Sequence, residues 1–461
     1  MDAVSDLKSA LSPASWTEDA GEIAPHLVEW RGLYQGRTPL LLKPGSTAEV
    51  QRIVEICNRH RAPLAIQGGN TGLVGGGVPD EGGAEILLSL KRLNRIRSMD
   101  PADFSLVAEA GVTVAAVQDA AREADRLFPL SLASEGSCTI GGVISTNAGG
   151  INVLRYGSMR QLVLGIEAVL PTGEIHEGLS SLRKDNTGYD LKQLLIGAEG
   201  TLGIVTAASL KLYPLPRETV TAFVALPDPA QAVELFSRMR AATGDLVTAF
   251  ELMPRLGLEL VLRHVTGTRD PLATPAPWYV LMEASSSMAA SGLAQAFDGA
   301  MEQALESGVI TDGAVAQSGD QAAALWKLRE SLSEAQKLEG ASIKHDVSVP
   351  IARIPEFIEK ASAAVLRLIP DARPVPFGHL GDGNLHFNIQ AGPQADGKAF
   401  LARWAEVNRA VHDVAVAFGG SISAEHGIGR LKREELAHYK SPVALDLMRR
   451  IKAVLDPNNI L

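Results

Sequence analysis

Three glycine-rich stretches between Gly68 and Val205 constrain the fold of this chain more than any other feature. Six of the twelve residues in GGNTGLVGGGVP, Gly68 to Pro79, are glycine; GSCTIGGVISTNAGG runs from Gly136 to Gly150, and GAEGTLGIV follows from Gly197. Glycine admits positive φ and lets a backbone approach a ligand closely, with its N–H groups left to bind an anion. Tight turns alone would explain any one of these stretches. Three together, interleaved with Ser, Thr and Asn, point to a phosphate-bearing cofactor. The G-x-G-x-x-G fingerprint opening a helix and the G-x-x-x-x-G-K-[ST] loop are both absent, so a doubly wound nucleotide fold is not supported.

Short strands and helices are expected around these stretches. PGSTAEVQRIVEICNRH reads as a capped helix, with Ser46 and Glu49 as a capping box and Val50, Ile53, Val54 and Cys57 at helical spacing. APLAIQ, EILLSL, FSLVAEA and IVTAASLKLY read as strands, TVAAVQDAAREAD as a helix, and GIEAVLPTGEI as two strands joined by a β-turn. YPLPRET, Tyr213 to Thr219, carries two prolines and reads as a linker. Beyond it, LVTAFELM and WYVLMEA are expected strands, 291–307 and 321–337 helices, SIKHDVSVP one continuous strand, and FIEKASAAVLRLI a helix. A length of 461 residues suggests two or three domains at roughly 100–200 residues each.

With 46% hydrophobic and 21% charged residues the chain has material for globular cores. Its formal net charge of −10 argues against nucleic acid and against anionic lipid as partners. Cys57 and Cys138 form no ligand pair and read as buried thiols. The N-terminus MDAVSDLKSALSPASW lacks a basic region followed by an apolar one, and no eighteen apolar residues run together. The expected location is cytoplasmic.

FGHLGDGNLHFNI, Phe377 to Ile389, holds two of the ten histidines. Gly381, Asp382 and Gly383 favour a turn, so a hairpin could bring His379 and His386 to one point, with Asn388 on the same strand face as His386. Farther on, SAEHGIG offers Glu425 and His426 in a loop that Gly427 can turn. Two histidines and a carboxylate suit Zn²⁺ or a similar divalent ion; structural histidines in a polar hairpin are the alternative.

The ordered motifs KPGSTAEV, IQGGNTGLVGGGVP, SEGSCTIGGVISTNAGG, RYGSMRQLVLGIEAVLPTGEI and GAEGTLGIVT resemble the FAD domain of the vanillyl-alcohol-oxidase-type flavoproteins, and within them the D-2-hydroxyacid dehydrogenases. The resemblance extends over nearly the whole chain from about Trp30. It implies an α+β fold: a bipartite FAD-binding domain over 38–216, after an N-terminal segment 1–37, and an α+β substrate (cap) domain with an antiparallel sheet over 217–461. The C-terminal helical segment of the latter would return to the FAD domain. Relatives usually continue past LDPNNIL into an Asn-Pro-Gly-Lys tail.

Residue by residue, the resemblance puts Pro44, Gly45, Ser46, Gly68, Gly69, Asn70, Thr71, Gly72, Leu73 and Gly75 near the FAD diphosphate. Gly136, Ser137, Thr139, Gly142, Ser145, Asn147, Gly149, Gly150, Gly203 and Val205 would line the rest. The first loop has no histidine, so the FAD is expected to be non-covalent. His379, His386 and Glu425 are implied metal ligands, His426 the general base, and Arg329, Ser333, Lys344 and Asn388 substrate contacts. Arg329 lies on the expected helix with Ser333. Strand alternation would put Lys344 on one face with Asp346, and His345 on the apolar face as a structural residue. An arginine forks a carboxylate bidentately and a lysine does not.

The implied activity is oxidation of a D-2-hydroxy acid to its 2-oxo acid, with D-2-hydroxyglutarate favoured and D-lactate, D-malate or a glycolate-oxidase-like subunit role as alternatives. A metal-dependent hydrolase would use the same ligands but leaves the glycine stretches unexplained, and a non-catalytic flavin-binding subunit would not need His426. The implied electron acceptor is an electron-transfer flavoprotein or a quinone, through which the protein would be peripheral to a membrane. A homodimer is one option for its assembly.

Overall fold

The computed structural model describes residues 2–461. The chain forms two compact units: the first takes the chain up to Gly150, Gly157–Leu215 and Glu425–Leu461, and the second takes Ile151–Tyr156 and Pro216–Ala424. Among the described residues no helix is long and apolar enough to cross a membrane.

In the first unit the helix Thr47–His60 begins where the Ser46 hydroxyl accepts the Glu49 N–H at 3.2 Å. Glu49 reaches back to the Gly45 N–H at 2.7 Å, one residue beyond the usual capping-box partner, because its other oxygen is held by the Ser15 hydroxyl at 2.9 Å. Val50, Ile53, Val54, Ile56 and Cys57 bury one helix face in a core shared with Leu64, Ile86 and Leu88. Each large side chain so buried contributes roughly 1.5–3 kcal/mol. Burial pushes the Cys57 thiol up to about 12, so it stays protonated.

Two sheets complete this unit. Leu64–Gln67 and Leu41–Leu42 pair parallel to Ile86–Ser89 on either side, with Trp16–Thr17 antiparallel at the edge. The other sheet is antiparallel, ordered Ile96–Asp100, Ser105–Glu109, Ile204–Lys211, Val163–Val169, Ile175–Gly178. Gly173, at φ +95°, closes the turn expected within GIEAVLPTGEI.

The second unit is built on an antiparallel sheet of eight strands. Phe250, Leu252, Phe387 and Ile389 enter one core with the helices Pro229–Ala242, Leu293–Glu306, Ile354–Leu368 and Trp404–Ala417. Met253, Tyr279, Leu281, Val375 and Phe377 enter another, covered by Arg255–His264, Gly319–Glu330 and Leu332–Glu339. The period-2 alternation of each strand divides its side chains between the two faces.

Two elements depart from their sequence reading. The helix expected over 321–337 is two helices that meet at Ser331, a break that lets Leu325 and Leu328 of one and Leu332 and Ala335 of the other enter the same core. SIKHDVSVP is two short strands, Ser342–Ile343 and Val347–Ser348, with Lys344, His345 and Asp346 outside the ladder. Side chains replace the missing ladder bonds: His345 Nδ1 donates to the Phe387 carbonyl at 2.7 Å, and Asn384 Nδ2 to the Val347 carbonyl at 3.0 Å and to Asp346 Oδ1 at 2.9 Å. The expected division of faces is therefore lost, and His345 and Asp346 are both buried.

Candidate cofactor cavity and histidine hairpin

The first glycine stretch leaves the parallel strand Leu64–Gln67 as an irregular loop, with Asn70 at φ +60° and Gly75 at φ +76°. From Gly69 to Val78 no backbone N–H donates to a protein acceptor among the described residues. Such a row of unpaired donors is what an anion such as a diphosphate requires. The second stretch packs directly on this loop: a Cβ on Gly69 would lie 2.2 Å from the Ser137 carbonyl oxygen, and one on Gly68 2.5 Å from Thr139 Oγ1.

Beside them is a cavity of about 580 Å³ lined by Gly69, Lys91, Asn94, Gly111, Val112, Thr113, Ala116, Gly136, Ser137 and Thr139. Thr139 Oγ1 is buried without a hydrogen-bond partner, and space is open where Gly136 would carry a Cβ. The free donors, the orphan hydroxyl and the size of the cavity fit FAD. Lys91, Asn94 and Thr113 in its wall were missed from sequence, since nothing local distinguishes them from ordinary surface residues.

Other residues assigned to FAD from sequence have local partners. Gly45 and Ser46 serve the helix cap, and Pro44 precedes it. The Ser145 hydroxyl donates to the Gly141 carbonyl at 2.7 Å. Asn147, at φ +50°, accepts from the Arg160 N–H at 2.9 Å. Gly142 lies in the helix Ile140–Ser145, Gly203 next to Leu195, and Val205 in the strand Ile204–Lys211.

SAEHGIG crosses from the second unit into the first between Ala424 and Glu425. Glu425 Oε1 accepts the Gly150 N–H at 2.6 Å, next to Gly149 at the end of the second glycine stretch. Glu199, at φ +51° in the third stretch, accepts the Ile428 and Gly429 N–H groups at 2.8 and 2.7 Å. This carboxylate fixes the turn that follows His426. Its role is not visible in sequence, where Glu199 is 230 residues from Gly429.

In the second unit, Arg373–His379 and Asn384–Gln390 form the expected hairpin, turned through Leu380–Asp382 and Gly383 at φ +89°. Phe377 pairs opposite His386, so Phe377, His379, His386 and Asn388 share a face. The histidine rings lie 5.5 Å apart, and each offers a nitrogen within 4.8 Å of the other's. Two imidazoles so placed suit a divalent ion of the zinc type. Asp346 Oδ1 is 3.9 Å from His386 Nδ1, beyond hydrogen-bond reach. The Ala424 N–H donates to the Asp346 carbonyl at 3.3 Å.

Behind the hairpin is a carboxylate that the sequence did not reveal. Glu251, on the neighbouring strand Val247–Pro254, pairs in register with His379. Its Oε1 is 2.7 Å from His379 Nδ1, and its Oε2 accepts Arg329 Nε at 2.7 Å. Burial pushes the Glu251 carboxyl up, but the charges and hydrogen bonds of His379 and Arg329 outweigh it and hold the group ionised, well below the usual range.

Arg329 is nine-tenths buried, its guanidinium 5.0 Å from the Phe377 ring centre. Its terminal nitrogens make no hydrogen bond to protein among the described residues, which leaves a fork for a carboxylate. Asn388 Nδ2 donates at 2.7 Å to Gln336 Oε1, a buried partner not singled out from sequence. Lys344 is half-buried, and Ser333 is exposed on the second of the two helices.

Comparison with known proteins agrees with this architecture. Residues 38–178 match the FAD binding domain and residues 215–461 the C-terminal domain of FAD linked oxidases. The chain is 40% identical over 450 residues to the mitochondrial D-2-hydroxyglutarate dehydrogenase of Bos taurus, covering 97% of this chain and 80% of that one. It is 37% identical over 463 residues to the mitochondrial D-2-hydroxyglutarate dehydrogenase of Arabidopsis thaliana, covering 99% and 80%. Its fold is similar to that of p-cresol methylhydroxylase with substrate bound, TM-score 0.77 at 18% identity over 100% of this chain and 95% of that chain. The chain belongs to the FAD-dependent D-2-hydroxyacid dehydrogenases, enzymes with the vanillyl-alcohol-oxidase-type fold.

One expectation is overturned. The cytoplasmic location is contradicted by the Bos taurus and Arabidopsis thaliana relatives, both named mitochondrial. A leader is a local N-terminal signal, whereas this resemblance extends over the globular domains, so the absence of a leader-like pattern in MDAVSDLKSALSPASW was a weak guide.

Proposed function

We propose that the protein oxidises D-2-hydroxyglutarate to 2-oxoglutarate, with non-covalent FAD and a divalent metal, zinc being the ion suited to the donors. The observation that carries this reading is the shared hairpin face, where His379 and His386 converge beside the unspent fork of Arg329. The names of the two relatives support the choice of substrate.

FAD when bound supplies a two-electron acceptor for the carbinol hydrogen. His379, His386 and Glu425 would hold the ion, whose contribution is Lewis acidity toward the substrate hydroxyl and its neighbouring carboxylate. His426 accepts the hydroxyl proton on an imidazole nitrogen, as the side chain whose unperturbed pKa is nearest neutrality. Arg329 forks the distal carboxylate, with Lys344 as a second cation and Asn388 and Ser333 as polar contacts. An electron-transfer flavoprotein or a quinone, as the family resemblance implies, reoxidises the enzyme.

Anaerobic mixing of the purified holoenzyme with D-2-hydroxyglutarate, D-malate and D-lactate tests the reading. Flavin absorbance should bleach fastest with D-2-hydroxyglutarate, fail to bleach after chelation, and recover with added zinc. A protein without flavin absorbance, or bleaching indifferent to chelation, would overturn the corresponding half of the proposal.

A further inference from the structure

We infer that Glu251 is a positioning residue that builds the ion site and the carboxylate site as one, orienting the His379 imidazole with one oxygen and anchoring Arg329 with the other. The inference rests on the function proposed above and deepens it. Its geometry lies entirely within the second unit: Glu251 on one strand, His379 opposite it on the next, Arg329 on a helix that covers that face.

A histidine that binds a cation must present a nitrogen without a proton, and a carboxylate at the other ring nitrogen determines which one does so. Glu251 Oε1 at 2.7 Å from Nδ1 keeps the proton there and turns Nε2 outward.

Both contacts are short and almost dry, with side chains 1% exposed at Glu251, 9% at His379 and 10% at Arg329. Such a pair holds its geometry better than an exposed one. A rotation of Glu251 would move His379 and Arg329 together, which couples the reaction end of the substrate to its distal carboxylate.

Glu251→Gln is the informative variant because it keeps size and shape but has only one acceptor oxygen. Arg329 needs that oxygen, so the amide nitrogen faces His379, forces the proton from Nδ1 to Nε2 and removes the lone pair an ion would use. Zinc affinity, measured without substrate by competition with a chromophoric chelator, should fall about 10- to 100-fold. Flavin content and absorbance should match the wild type. Zinc affinity within twofold of the wild type overturns the inference.

His386→Ala measured in parallel separates the two claims. A wild type that binds zinc no better than His386→Ala overturns the metal reading itself. Zinc binding lost in His386→Ala and intact in Glu251→Gln overturns only the role of Glu251. Should Glu251→Gln fail to fold, Glu251→Leu/Arg329→Met removes both the acceptor at His379 and the counter-charge and carries the same comparison: weakened zinc binding supports the inference, and wild-type affinity overturns it.

Discussion

Gly69→Ala and Gly72→Ala make the same change three residues apart in one loop, and the structure expects opposite results. At Gly69 a Cβ would lie 2.2 Å from the Ser137 carbonyl oxygen and 2.9 Å from the Cys138 Cα. Both neighbours are backbone and cannot rotate aside. The Ser137 and Cys138 N–H groups donate to the Ser134 carbonyl at 2.8 Å each, and the Cys138 carbonyl accepts the Val114 N–H at 3.1 Å, so the opposing loop is pinned. Overpacking against such a wall costs about 1–3 kcal/mol. At ~2–4 °C per kcal/mol for a domain of this size, Tm should drop by about 2–12 °C.

At Gly72 a Cβ meets nothing within 4 Å and φ is not in the left-handed region, so stability should change by no more than ~0.5 kcal/mol. Thermal melts of the flavin-free protein measure the protein term alone, and titration with FAD then measures the cofactor term. Gly69→Ala should be deficient in both. Gly72→Ala should melt like the wild type, and any deficit in FAD affinity would place the cofactor against that residue. Equal Tm shifts in the two variants, or none in Gly69→Ala, would refute the reasoning that loop-on-loop contact selects glycine there.

Two further outcomes follow from the polar networks. Burial pushes the Glu167 carboxyl up, but Arg97 and the Thr47 and Thr206 hydroxyls outweigh it and hold it at about 2. A depressed carboxyl stabilises fully above its unfolded value near 4.5 and loses that contribution as pH falls toward 2, so about 1–2 kcal/mol, after screening by solvent at this partly exposed group, should disappear over that window. Urea unfolding should show Glu167→Gln less stable than wild type at pH 5, with the gap closing toward pH 2; a constant gap would count against the network. Arg329→Lys keeps a positive charge near Glu251 but loses the fork, so kcat/KM for D-2-hydroxyglutarate should fall roughly 10- to 100-fold, the value of one charge-assisted hydrogen bond. Arg329→Ala strands a buried carboxylate and should also lose about 3–5 kcal/mol of stability; wild-type melting of Arg329→Ala would contradict the buried pair.

Local patterns carried much of the fold. The cap at Ser46, the alternation of the long strands and the turn at Gly383 are decided within a few residues by backbone preference and period. The broken helix at Ser331 and the interrupted strand at Lys344–Asp346 were not legible, because distant partners decide them: a sheet face in one case, Phe387 and Asn384 in the other. Sites divide the same way. His379, His386 and Asn388 could be read from hairpin geometry, since their spacing puts them on one face.

Sequence alone determined that glycine loops, a histidine hairpin and a particular order of motifs exist in this chain, because each is written in contiguous residues. Only the tertiary structure decided what stands behind them. Glu251 meets His379 across 128 positions, Glu199 meets Gly429 across 230, and Gly69 meets Ser137 through backbone alone. Contacts of that separation depend on strand register and loop packing, which no short stretch of sequence encodes.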